Sequence, residues 1–203
     1  MDTPTRPFPG KTIATDERPI AATTPPVNSH VIQRIEIWPV DIPITDPFVV
    51  ATGARVTAQN LFMRVTLQGG THGIGEAAPF PEVGGEDRPS CLAAAQELAS
   101  NLIGQSAADY EALADRLSEQ APLFPAARCG LETALLDAYC RTQGIPLWQL
   151  WGQADVRERE TDITIPICNL EKTLALSRGW YAQGFRLFKM KVGTVVEEDI
   201  RRL

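Results

Sequence analysis

The apolar residues of this chain change period twice, and those changes constrain its fold more than any other feature. From Val31, "VIQRIEIWPV" sets Ile35 and Ile37 against Arg34 and Glu36, "NLFMRVTLQGG" alternates up to the Gly69-Gly70 turn, and "HGIGEAA" resumes after it. Alternation with period two marks strands with one buried face, and three such runs on short or moderate connections predict an antiparallel meander. The segment between the first two, "TDPFVVATGARVT", lacks the alternation and reads as a loop.

The period then becomes helical. "RPSCLAAAQELASNLIG" has Asp87 and Pro89 as starting signals and Gly104 as a stop, and "SAADYEALADRLSEQ" follows Ser106 as a cap with Tyr110, Leu113 and Leu117 on one face. "AARCGLETALLDAYCRTQG" places Leu131, Leu135 and Ala138 on a third face and ends at Gly144. "IPLWQLWG" adds a short apolar turn whose Trp148 and Trp151 read as core or interdomain packing. Strands followed by segregated helices predict an α+β domain over residues 31–158.

The second change comes after the charged link "QADVRERE". "TDITIPIC", "LEKTLALSRGWYAQG", "FRLFKMKVG" and "VVEEDIRRL" read as βαβα over 159–203, which implies parallel strands joined by right-handed crossovers. Two parallel strands and so few helices cannot cover both faces of a parallel sheet. The expectation is the front part of a longer α/β protein, or a chain that borrows its missing layers from another. At the other end, residues 1–30 carry Pro4, Pro7, Pro9, Pro19, Pro25 and Pro26 without apolar periodicity and read as a disordered tail.

Composition narrows the function class. The net charge of −6 comes without basic clusters, which argues against nucleic acid and against a polybasic membrane surface. No stretch approaches the roughly 20 apolar residues that span a bilayer. A small-molecule ligand or a protein is the expected partner, and a homo-oligomer stays open. The four cysteines, Cys91, Cys129, Cys140 and Cys168, lack C-x-x-C spacing, and His30 and His72 are the only histidines, so zinc is not expected. The cysteines read as buried thiols in a reducing, cytoplasmic setting.

Lys189 and Lys191 sit two positions apart in "FRLFKMKVG", so in a strand their side chains share a face. Either this is an edge whose lysines reach solvent, or the face lines a cavity. In a cavity, burial and the neighbouring cation would push the Lys191 amine down toward neutral pH and make it a usable base. Lys191 lies just before Gly193, at the C-terminal end of its strand, where parallel barrels carry their catalytic groups. Periodicity alone leaves the two readings level.

Four segments carry a family resemblance: "GIGEAAPFPEVGGED" (73–87), "AARCGLETALLDAYCRTQGIPLWQLWG" (126–152), "ETDITI" (160–165) and above all "QGFRLFKMKVG" (183–193) with its K-x-K. From Val31 onward the chain resembles the enolase superfamily, specifically its muconate-lactonizing-enzyme-like subgroup and within that the dipeptide epimerases. The resemblance implies an α+β capping domain followed by the first units of an incomplete, TIM-like (β/α)7β barrel. It implies Lys191 as the acid/base that removes a proton α to a carboxylate, Lys189 as its electrostatic neighbour, and Thr164 as a substrate contact. Loops 50–57 and 76–87 would close over the substrate, bringing Gly53 and Arg55 to it. Magnesium would stabilise the enediolate, with its ligands and an opposing lysine expected beyond Leu203, so that these 203 residues alone would be inactive.

The implied activity is epimerisation of a dipeptide or racemisation of an amino-acid derivative. o-Succinylbenzoate synthesis, muconate cycloisomerisation and a non-catalytic capping module are the alternatives. The chain departs from some dipeptide epimerases, which place an arginine where Gly53 aligns; Arg55 is near but out of register, which counts against an Ala-Glu type specificity. Glu76 reads as a structural carboxylate, the glycines of "GIG" and "GGED" as turn residues rather than a phosphate loop, and His72 as a solvated turn residue.

Overall fold

A computed structural model of the protein describes residues 29–83, 85–152, 158–193 and 195–203. The expected tail up to residue 28 and positions 153–157 of the charged link lie outside the described residues. Strands β1 (Ile32–Val50), β2 (Gly53–Leu67) and β3 (His72–Ala77) form an antiparallel sheet in the order β1-β2-β3. Helices α1 (Arg88–Leu102), α2 (Tyr110–Gln120) and α3 (Pro125–Gln143) follow. Then come β4 (Asp162–Ile165), α4 (Leu170–Ala182), β5 (Leu187–Met190) and α5 (Val196–Arg202), with β4 and β5 parallel. This is the α+β sheet-and-helix unit followed by βαβα that the two period changes predict.

The core of the first unit lies between the sheet and its helices. β2 is the central strand, and its Leu61, Met63, Val65 and Leu67 are fully buried on one face, in register with Ile35 and Ile37 of β1. Against them pack Leu98 and Leu102 of α1, Leu113 and Leu117 of α2, and Leu131, Leu135 and Ala138 of α3. The helix boundaries follow their local chemistry. The Asp87 carboxylate accepts the Ser90 N–H at 2.8 Å and caps α1, while Gly144 takes φ +67° to end α3.

Helix α3 rests on the backbone of β3. A Cβ on Gly75 would lie 2.0 Å from the Gly130 carbonyl oxygen, and one on Gly73 would lie 2.1 Å from the Ala138 nitrogen. Gly73 and Gly75 are therefore strand residues made small by helix contact, not the turn residues that the sequence suggests. α3 also closes the free edge of β3, because Asp137 Oδ2 accepts the Ile74 N–H at 2.9 Å.

The largest departure from the sequence reading is segment 45–57. It is not a loop but the far end of a two-stranded ribbon: β1 runs to Val50, turns at Ala51-Thr52, and pairs Val50 with Gly53, Val49 with Ala54 and Phe48 with Arg55. Within this segment the pairing slips, with residues 44–47 set opposite Val56. Pro39, Pro43 and Pro47 weigh against a strand in any sequence window, yet β1 is an edge strand whose outward N–H groups need no partner. β3 stops opposite Leu61, so the ribbon runs on beyond the sheet.

Smaller corrections follow from burial. Trp151 is 62% exposed and Trp148 is also exposed, so neither packs in a core. Cys91 and Cys140 are buried, but Cys129 is exposed and Cys168 half-buried. His72 opens β3 on an exposed position rather than sitting in the turn. Among the described residues no helix is long and apolar enough to cross a membrane.

Two glycine substitutions should move stability in opposite directions. Gly75→Ala forces α3 off β3 and should cost about 3 kcal/mol or more. Gly179→Ala, inside α4 with nothing within 4 Å of the new methyl, should stabilise by about 0.5–1 kcal/mol. Urea midpoints of the two variants against the parent check both signs.

Candidate active site

The site forms where the ribbon tip meets the C-terminal ends of β4 and β5. These strands pair Thr164 with Lys189 and Ile165 with Met190, and the Lys191 N–H donates to the Ile165 carbonyl at 3.0 Å, carrying the ladder one residue further. Cross-strand partners in a parallel pair share a face. Thr164, Lys189 and Lys191 therefore stand on one side, while Ile163, Ile165, Phe188 and Met190 stand on the other. That second side faces helix: Phe188 lines a cleft with Ser177 and Tyr181 of α4, and Ile165 is fully buried. The sequence period thus brings three of the expected site residues to one face turned away from α4.

The ribbon tip approaches that end of the strands. The Ile167 N–H donates to the Val49 carbonyl at 3.2 Å, and a Cβ on Gly193 would touch the Ala51 methyl at 3.1 Å. Lys191 Nζ lies 5.9 Å from the centre of the Phe48 ring, within reach of a cation–π attraction. Lys191 is half-buried and Lys189 exposed.

From Phe48 a row of contacts leads into the 78–87 segment. The Phe48 and Phe80 rings lie 6.5 Å apart, and the Arg55 guanidinium lies 4.3 Å over Phe80. Arg55 Nε donates to both carboxylate oxygens of Glu82 at 3.0 Å, its Nη2 lies 2.8 Å from Oε2, and its Nη1 donates to the Pro79 carbonyl at 3.1 Å. Hydrogen bonds from Arg55 hold the Glu82 carboxyl below the usual carboxylate range. Gly53 lies against Glu82, where a Cβ would come 3.0 Å from the Glu82 Cγ. Gly53 and Arg55 are thus joined to each other through Glu82, and Arg55 spends its donors within the protein.

The other end of the segment is anchored on α3. Pro125 opens that helix and its N-cap residue, Phe124, offers no side-chain cap, so the Ala126 N–H needs an outside partner. The buried Glu86 supplies it, accepting that N–H at 2.5 Å. Beside it, burial and then the Glu86 charge push the Cys91 thiol up to about 12, which makes it a poor nucleophile.

Glu76 makes the structural contact expected of it, accepting from Asn60 Nδ2 at 2.6 Å. Phe48, Phe80 and Glu82 were not singled out in the sequence, because each lies in a stretch without periodicity and meets the site only through tertiary contacts. Asp199 and Arg202 were missed as well. An acid and a base three residues apart on a short helix read as an ordinary surface pair, whereas in the fold Asp199 and Arg202 are the buried side of α5 and its apolar Val196 and Ile200 are exposed. Among the described residues, no group of three or more histidine, cysteine or acidic side chains gathers to hold a metal ion.

Comparison with known proteins matches this architecture. Residues 32–152 match the family model described as mandelate racemase / muconate lactonizing enzyme, N-terminal domain. The chain is 38% identical over 173 residues to the aromatic dipeptide epimerase of Herpetosiphon aurantiacus, covering 85% of this chain and 48% of that protein. Its fold is similar to a crystal structure of a mandelate racemase/muconate lactonizing protein from the same organism, with TM-score 0.80 and 37% identity over 86% of this chain and 49% of that one. It is also similar to a dipeptide epimerase from Methylococcus capsulatus complexed with Mg and the dipeptide L-Arg-D-Lys, with TM-score 0.77 and 32% identity over 85% and 49%. The chain spans about half the length of the curated relatives it matches. On its sequence, its sheet-and-helix unit and the parallel strands that follow, the chain belongs to the mandelate racemase/muconate lactonizing enzyme family.

Proposed function

We propose that this chain supplies one catalytic base and the covering segments of a dipeptide epimerase, with residues 31–158 as capping domain and 159–203 as the first units of a barrel. The observation that carries the reading is the shared face of Thr164, Lys189 and Lys191 at the C-terminal end of a parallel strand pair, beneath the tip of the β1–β2 ribbon. As a free amine, Lys191 takes the proton α to the substrate carboxylate, and the electron pair left behind spreads onto the carboxylate as an enediolate. Lys189, two residues back on the same face, adds positive charge where that negative charge develops, and Thr164 contacts the substrate. Inversion needs a second acid on the opposite face of the planar intermediate, and residues outside this chain would supply it. Magnesium, as in the dipeptide-bound relative, would likewise be held by residues other than those described.

The wall of the site favours an apolar side chain on the substrate. Phe48 and Phe80 line the row from Lys191, while Arg55 is engaged by Glu82 and is not offered to an acidic substrate. This supports a dipeptide with a hydrophobic or aromatic residue, in keeping with the 38% identical relative that is named an aromatic dipeptide epimerase.

The decisive test is proton exchange. In the whole protein, Lys191→Ala should lower solvent-deuterium incorporation at the α-carbon of L-Ala-L-Phe by about a hundredfold or more, followed by proton NMR, with the circular dichroism spectrum unchanged. Exchange retained on both stereoisomers would sink the assignment.

The Arg55–Glu82 pair should act on binding rather than chemistry. Glu82→Gln should raise KM for L-Ala-L-Phe roughly threefold to tenfold with little change in kcat, since one charge-assisted contact between ribbon and loop is weakened. Because the Glu82 carboxyl is held below its ordinary value, the pair is fully present above about pH 4.3 and is lost only as pH falls through the lowered value. KM of the parent should therefore stay flat from pH 8 to 5, with the variant raised throughout; identical KM values would show that the Arg55–Glu82 pair does not act on binding.

A further inference from the structure

We propose that Arg202, held by Asp199, is a positioning residue for Lys191, a role that rests on the reading of Lys191 as the base. The Arg202 side chain is 3% exposed, and it forms an ion pair with Asp199 three residues earlier on α5. The pair does not simply neutralise itself. Arg202 Nη2 also donates to the Lys191 carbonyl at 3.0 Å, and Nη1 makes a longer contact of 3.4 Å to the Pro166 carbonyl. Asp199 Oδ2 accepts the Gly193 N–H at 2.7 Å.

These contacts converge on Lys191 and Gly193, with one residue between them along the chain. The Lys191 N–H is held by Ile165, its carbonyl by Arg202, and the Gly193 N–H by Asp199. The ladder reaches the Lys191 N–H and goes no further, so the ion pair supplies partners to the Lys191 carbonyl and the Gly193 N–H. Rotation of the peptide after Lys191 would break a charge-assisted hydrogen bond in a buried place, which holds the Cα–Cβ direction of Lys191 toward Phe48. The Pro166 contact ties the end of β4 to the same guanidinium, so both strand ends are set from one side chain. Asp199 is kept ionised by the Gly193 N–H first and by Arg202 second, which holds its carboxyl below the usual range. Lysine cannot stand in for this arginine, because a single ammonium does not present a planar fork to a carboxylate and two carbonyls.

The test reads the place of the Lys191 amine directly and its chemistry separately. The whole protein is reductively methylated with carbon-13 formaldehyde, and the Lys191 dimethylamine signal is assigned by its loss in Lys191→Arg. In the parent it should stand apart from exposed lysines through the ring current of Phe48. In Arg202→Lys it should move into their envelope, and in parallel kcat for exchange into L-Ala-L-Phe should fall roughly tenfold to a hundredfold with KM within about threefold. Should Arg202→Lys fail to fold, Asp199→Asn takes its place with the same expected shift and the same kcat loss. An unmoved Lys191 signal in a folded variant, or kcat unchanged, overturns the proposal. If Lys191→Ala still exchanges, the base assignment is what has failed, and the positioning role falls with it.

Discussion

The backbone-to-backbone contact between β3 and α3 governs where everything else can lie. With Gly73 and Gly75 bare of side chains, α3 sits closer to the sheet than any Cβ would permit, and Gly130 returns the same concession toward Met63 of β2. That closeness orients the sheet against the helices that bury Leu61, Met63 and Val65. Since β1 and β2 run past the end of β3 as a continuous ribbon, the same contact aims the ribbon tip. A sheet tilted differently on α3 would carry Phe48 and Val49 away from Lys191 and Ile167. The distant helix contact and the local site contacts are therefore one geometric constraint expressed at two ends of a pair of strands.

The 78–87 segment shows how a stretch with no secondary structure of its own, apart from a single turn, is nonetheless placed. It is fixed at one end by the buried Glu86 on the first turn of α3 and at the other by Glu82 on Arg55 of the ribbon. The two carboxylates do different work. Glu86 satisfies a helix donor that Phe124 cannot cap, in a place where the positive end of the helix favours negative charge. Glu82 meets a guanidinium that is stacked on Phe80 as well as paired, so ribbon and segment are joined by a charged contact and an aromatic one together.

Much of this was legible in the sequence where the signal is local. Asp87 and Pro89 mark the start of α1, Gly144 the end of α3, and alternation marks the core face of β1 and β2, because caps and periods act within a few residues of themselves. The K-x-K spacing puts Lys189 and Lys191 on one face for the same reason. Illegible features were those decided at a distance. Pro43, Pro47 and Gly53 argue for a loop until the edge position of β1 is known. Gly73 and Gly75 look like turn glycines until α3 lies on them, and Trp148 and Trp151 look like core until their surroundings prove open. Cys129 and Cys168 differ from Cys91 and Cys140 only by the helix face or loop they occupy, which composition does not record.

Lys191 combines a fixed backbone with a side chain that stretches toward a second structural unit. In the proposed role of base, Lys191 needs its Cα held more tightly than its ammonium, since the four-carbon stem multiplies any backbone rotation at the amine. Strand pairing alone could not supply that hold, because the ladder reaches the Lys191 N–H but not its carbonyl. A buried ion pair on the following helix does, at the risk that losing either partner leaves a charge without compensation in the interior. The helix that follows β5 thus serves the strand before it, which gives a charged pair a role on a face where apolar residues would pack at least as well.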